Sequence, residues 1–240
     1  FTLDADALSQ AITPRTKMII VNSPHNPTGM VLTRRELQQV ADAAIRHDLI
    51  VLSDEASEHL VYDEITHIPI ATLPGMFDRT ITVGSGGKSF SFTGWKIGWA
   101  SGPPALIAAL RVVRQHLSYV SGGPFQAAIA AGLRLPDQFF ADFSAGLAQR
   151  RDLLSKGLRG LGFEVMPSAG TYFVTTDIRP LGHSDGAAFC DWLVTDVGVA
   201  AIPISALADD AATFAPYVRW TFCKRPEVLA AALERLATIR

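Results

Sequence analysis

From residue 17 onward the chain alternates short β-branched runs with amphipathic stretches, at the spacing of β-α-β units. Lys17-Met18-Ile19-Ile20-Val21-Asn22 reads as a strand closed by Ser23-Pro24. Thr33 followed three residues later by Glu36 spells a capping box, which predicts a helix over 34–47. Leu49-Ile50-Val51-Leu52 and Thr80-Ile81-Thr82-Val83 are continuously apolar or β-branched, as strands covered on both faces are, and Trp95 to Ala100 is a fourth candidate strand. Polar or glycine-rich segments follow the first three: Asn22-Ser23-Pro24-His25-Asn26, Ser53-Asp54-Glu55 and Gly84-Ser85-Gly86-Gly87-Lys88. In a parallel sheet these places share one edge, where ligands bind.

The pattern changes in the second half. A helix is predicted over 103–119, broken by Gly122-Gly123-Pro124 before another begins at Phe125. Residues 136–161 form a long amphipathic stretch, with Phe139, Phe143, Leu147, Leu154, Leu158 and Leu161 at helical steps. Strands over 163–165, 171–175 and 217–222, an apolar segment over 199–204 and helices over 186–194 and 226–238 follow. Alternation without the buried parallel signature predicts an α+β unit. The expected architecture is therefore α/β: a first domain over 1–120 built on a mostly parallel sheet, then a connecting helix and a small α+β domain over 121–240.

Composition narrows the function. A chain of 240 residues that is 48% hydrophobic and 18% charged is no disordered tail, collagen or coiled coil. The 21 Lys and Arg are interspersed with 23 Asp and Glu, so no basic face recommends nucleic acid or an anionic membrane, and small-molecule chemistry is expected. Only Cys190 and Cys223 occur, outside any CxxC or Cys/His cluster, which argues against a disulfide framework and a structural zinc and for a reducing, cytoplasmic compartment. No apolar run reaches the ~20 residues of a membrane span. Phe1 opens directly on Leu3, Ala5, Leu8 and Ile12 without a signal-peptide pattern, as if the chain starts inside a domain.

The glycine-rich Gly84-Ser85-Gly86-Gly87-Lys88-Ser89 invites a nucleotide reading, but a P-loop would need glycine where Thr82 stands, and no GxGxxG or GxSxG is present. Lys88, Ser85, Asn26 and Asp54 instead place an amine, a hydroxyl, an amide and a carboxylate on one sheet edge. That set suits an aldehyde cofactor bearing a phosphate and a basic ring nitrogen, pyridoxal phosphate (PLP) in outline. A neutral amine condenses with the aldehyde, and a carboxylate keeps the ring nitrogen protonated so that the ring accepts electrons. A surface lysine and a cap aspartate are the plain alternative.

Four segments carry a resemblance. They are Asn22-Ser23-Pro24-His25-Asn26-Pro27-Thr28-Gly29, Ser53-Asp54-Glu55, the run from Ser85 to Trp99 containing Lys88 and Thr93-Gly94-Trp95-Lys96, and Val218-Arg219-Trp220-Thr221-Phe222-Cys223-Lys224. In order and over nearly the whole chain they resemble the signatures of class I/II aminotransferases of PLP fold type I. The Thr-Gly-Trp-Lys form, Gly170-Thr171-Tyr172-Phe173 and the Phe-Cys-Lys ending are most similar to the kynurenine/methionine aminotransferase branch and to bacterial N-succinyldiaminopimelate aminotransferases of that type. The resemblance implies that Lys88 carries the cofactor and moves the proton, that Asp54 pairs with the ring nitrogen, and that Asn26 donates to the cofactor's 3-oxygen. It further implies that Ser85 and Lys96 hold the phosphate and that Arg219 clamps the substrate α-carboxylate. A homodimer acting on amino acids and 2-oxo acids is expected.

Two departures stand out. Where the family reads Asp-Glu-Val-Tyr, this chain reads Asp54-Glu55-Ala56-Ser57, and serine is too short to replace a phenol. The family's opening segment, with a phosphate-binding loop and a ring-stacking aromatic, has no counterpart here. The chain alone is accordingly expected to bind PLP weakly and to transaminate slowly. An inactive fragment, a PLP-dependent β-lyase on the same scaffold and a phosphate-binding module at Gly84 to Ser89 are the other readings.

Overall fold

A computed structural model describes residues 1–239. They divide into two compact units: unit 1 comprises 1–24 and 31–141, and unit 2 comprises 25–30 and 142–239. The division falls at 141/142 rather than at 120/121, and a six-residue insert from the first half joins the second. The physical reason for the insert is visible in its hydrogen bonds. Gly29 accepts from the amides of Ala169 (2.9 Å) and Gly170 (2.8 Å), and Pro27 O accepts from Thr175 Oγ1 (3.4 Å), all residues of unit 2.

Unit 1 is built on a four-stranded sheet of order β1 (Met18–Asn22), β2 (Ile50–Asp54), β3 (Thr80–Ser85) and β4 (Gly98–Ser101). β1, β2 and β3 are parallel, with Asn22 opposite Asp54 and Asp54 opposite Val83. β4 runs antiparallel to β3, so this sheet is mixed at its edge. The predicted strand over 95–100 is displaced toward its C-terminal end because Thr93–Trp95 form a 3₁₀ turn and Lys96 takes a left-handed conformation. α1 (Ala5–Ala11), unassigned by pattern, starts on the Asp4 side chain, which accepts from the amides of Asp6 and Ala7. α2 (Arg34–Arg46) starts on the predicted capping box: Thr33 N and Oγ1 donate to Glu36 Oε2, and Glu36 N donates to Thr33 Oγ1. It buries Leu37, Val40, Ala41, Ala43 and Ala44. β1 departs from the doubly covered pattern, since Ile20 is 70% exposed. The four-residue helix α3 (Gly86–Ser89), α4 (Pro104–Leu117) and α5 (Gly123–Gly132) complete the unit, and α4 buries none of its residues.

α6 (Asp137–Gly160) begins in unit 1 and continues into unit 2, where Leu147, Leu154 and Leu158 are buried. The second sheet is antiparallel throughout, in the order β5 (Glu164–Val165), β6 (Phe173–Asp177), β8 (Tyr217–Thr221) and β7 (Ile202–Pro203). Every residue of β6 is buried. α7 (Gly186–Trp192), extended by a π-helical turn to Val197, and α8 (Pro226–Leu236) contribute Phe189, Leu193, Leu229 and Leu236 to the core. This is the predicted α+β arrangement.

Candidate active site

Unit 1 collects the predicted amine, carboxylate and hydroxyl at the C-terminal ends of adjacent strands. Asp54 is the last residue of β2 and Ser85 the last of β3, and the chain turns at once into α3, which carries Lys88. Two glycines make that turn possible. A Cβ on Gly86 would lie 2.7 Å from Ile129 Cδ1, and one on Gly87 would lie 3.0 Å from the Thr93 Cα. Phe90 N closes the turn on Gly86 O. The left-handed Lys96 follows the 3₁₀ turn and leads into β4, whose Gly98 pairs with Ser85. The result is a cavity of about 290 Å³ lined by Ser85, Gly87, Lys88, Thr93, Lys96 and Ile97. Ser85, Lys88 and Lys96 thus share one pocket.

Asp54 is half-buried. Its Oδ1 accepts from the Ala56 amide (3.1 Å), and its carbonyl accepts from Ser23 N and from Asn22 Nδ2. These bonds hold the strand end to β1. They leave the carboxylate with further acceptor capacity.

Unit 2 holds the other two predicted residues together. Arg219 lies on β8, and its Nη1 donates to Asn26 Oδ1 at 2.7 Å. The guanidinium carbon sits 4.1 Å from the centroid of the Phe173 ring on the neighbouring strand. Ring and amide therefore fix one end of the fork. Burial lowers the Arg219 pKa while Tyr172 opposes the shift, and the group stays cationic. Gly29, with φ +74°, lets this loop press against Ser168. The role of Phe173 escaped the sequence: in an alternating strand it reads as core, and only the β6–β8 pairing puts it under an arginine.

The donor set fits PLP. Two amines and a hydroxyl around one cavity match a phosphate and an aldehyde, and the carboxylate on the adjacent strand matches a ring nitrogen.

Comparison with known proteins agrees. A family model described as aminotransferase class I and II matches residues 1–236. The solved structure of N-succinyldiaminopimelate aminotransferase from Mycobacterium tuberculosis is 51% identical, with a TM-score of 0.97 over all of this chain and 62% of that one. YbdL of Escherichia coli, described as having a methionine aminotransferase function, is 32% identical with a TM-score of 0.92, covering 98% of this chain and 62% of its own. Kynurenine–oxoglutarate transaminase 3 of Mus musculus is 40% identical over 98% of this chain and 55% of its own length. The chain belongs to the class I and II aminotransferases, a family of PLP-dependent enzymes with the fold type I architecture. It spans less than two thirds of the length of these relatives.

Proposed function

We propose that this chain binds PLP in the pocket of unit 1 and takes part in moving an amino group between an amino acid and a 2-oxo acid. The observation that carries the reading is the single cavity shared by Ser85, Lys88 and Lys96. When bound, the cofactor supplies an electron sink that lets the amino acid's Cα–H bond break. Lys88 Nζ would hold the cofactor at rest and, once the substrate amine had displaced it, would take the proton from the substrate Cα as a free amine. Asp54 keeps the ring nitrogen protonated, and Ser85 with Lys96 orients the phosphate. In unit 2, Arg219 receives the α-carboxylate of either substrate, and Asn26 steadies it through their mutual hydrogen bond. Ser57 leaves the 3-oxygen without a phenol, which weakens cofactor binding relative to the tyrosine form.

A cytoplasmic homodimer is part of the reading. It is supported by the exposed apolar residues along α4, among them Val112, Val113 and the 82%-exposed Leu117. Among the described residues, no helix is long and apolar enough to cross a membrane.

The test is covalent. Incubation with excess PLP followed by borohydride and peptide mapping should label Lys88 ahead of the other four of the chain's five lysines. Equal labelling of all five, or labelling elsewhere with Lys88 unmodified, would refute the assignment.

A further inference from the structure

Next to Asp54 lies a buried ionisable pair that the proposed reaction does not use. Glu55 is 3% exposed, yet its carboxylate is fully engaged: Oε1 accepts from Ser53 Oγ at 2.8 Å, and Oε2 lies 2.9 Å from His67 Nε2. The His67 side chain is 9% exposed, and its Nδ1 has no hydrogen-bond partner. The ring is therefore held through Nε2 alone, which donates to the carboxylate.

A buried carboxylate with a single ring donor does not give that donor up cheaply, because the uncompensated charge stays in a poor solvent. The contact joins residues twelve apart in sequence and so closes the long loop that leaves β2. The Glu55 end of this closure bears on Asp54. Glu55 N donates to Val83 O on β3 at 2.9 Å, which fixes the first residue of the loop. The next residue, Ala56, donates its amide to Asp54 Oδ1 at 3.1 Å.

We infer that Glu55 and His67 are positioning residues for Asp54: their clasp holds the start of the loop so that the Ala56 amide sets the direction of the Asp54 carboxylate. The inference rests on the reading of Asp54 as partner of the cofactor's ring nitrogen, but the clasp itself acts in the protein without cofactor. Its function is directional. An aspartate at a strand end has two free torsions, and one amide held in place removes much of that freedom.

The experiment uses the whole chain without PLP, as the parent, His67→Phe and His67→Gln. Phenylalanine keeps a buried ring and loses the donor, whereas glutamine restores a donor. Amide hydrogen exchange should quicken at Ala56 by about tenfold in His67→Phe and fall back toward the parent rate in His67→Gln. The Asp54 side-chain carboxyl carbon resonance should move in the first variant and return in the second. Unchanged exchange at Ala56 would overturn the inference. So would exchange that rises alike at Ala56 and throughout β2 and β3, since that marks a pair needed only for folding. A chain that shows the Ala56 response but takes no borohydride label at Lys88 keeps the clasp and refutes the cofactor reading.

Discussion

Glu58 offers a test of the electrostatics around this loop that needs no activity. Its amide donates to Glu55 O at 3.0 Å, so the two residues share one turn of the loop. Burial first, then repulsion from Glu55, pushes the Glu58 pKa from the ordinary 4.5 up to about 7, and His67 only partly opposes this. His59 Nε2 lies 3.4 Å away, but burial and His67 lower its pKa against an opposing pull from Asp137, so in the upper part of the range it is neutral and offers no compensating charge. The sign follows from proton counts. Between pH 4.5 and about 7 the folded chain keeps a proton that the unfolded chain has released, so stability falls as pH rises through that window. At about 1.4 kcal/mol for each pH unit separating the two values, the ionised carboxylate costs the folded state roughly 3 kcal/mol. The side chain retains 19% exposure. Solvent screening reduces the cost to about 1–2 kcal/mol. Glu58→Gln removes the ionisation and keeps the shape. Urea denaturation of parent and variant at pH 5 and pH 8 should show near equality at the lower pH and a variant more stable by about 1–2 kcal/mol at the higher one. A gap of the same size at both pH values, or none at pH 8, would refute the reasoning.

Two further outcomes are expected in unit 2. Arg219→Lys loses the bidentate fork, the 2.7 Å bond to Asn26 and most of the stacking on Phe173. It should raise KM for both the amino acid and the 2-oxo acid by about 10- to 100-fold, with PLP affinity held within about threefold, in steady-state kinetics with a parallel cofactor titration. Equal loss of cofactor affinity would mark Arg219 as structural. Gly29→Ala places a Cβ 2.4 Å from Ser168 Oγ at φ +74°. Ser168 Oγ already donates to Phe173 O at 2.7 Å and cannot retreat freely. Chemical denaturation should show a loss of about 2–3 kcal/mol, and a loss under about 0.5 kcal/mol would contradict the packing described for this loop.

What could be read from the sequence was local. The capping box at Thr33 and Glu36, the strands ending in Asn22, Asp54 and Ser85, and the prolines and glycines around α4 and α5 each announce themselves within a few residues, because propensity and capping act over one turn. The shared pocket was legible for the same reason. Ser85 and Lys88 are three residues apart, and the Thr-Gly-Trp-Lys run that brings in Lys96 is nearby. Features created by pairing were not legible. The antiparallel direction of β4 depends on a turn centred on left-handed Lys96, a conformation no propensity assigns to lysine. The transfer of residues 25–30 to the second unit depends on Gly29 O meeting amides some 140 positions away.

The Glu55–His67 clasp belongs to that second class, and it shows why the distinction matters for function. Ser53-Asp54-Glu55 reads as a polar strand end in which any of three side chains could face a ligand. The alternation of β2 separates them: Ser53 and Glu55 are buried and bonded to each other, while Asp54, between them, is half-buried on the other face. One carboxylate is therefore committed to His67 and to the loop, and its neighbour is left for chemistry. Two adjacent acids become unequal not through their own chemistry but because a histidine twelve residues later reaches only one of them. A substitution at position 67 should accordingly be felt at position 54 without any direct contact between the two.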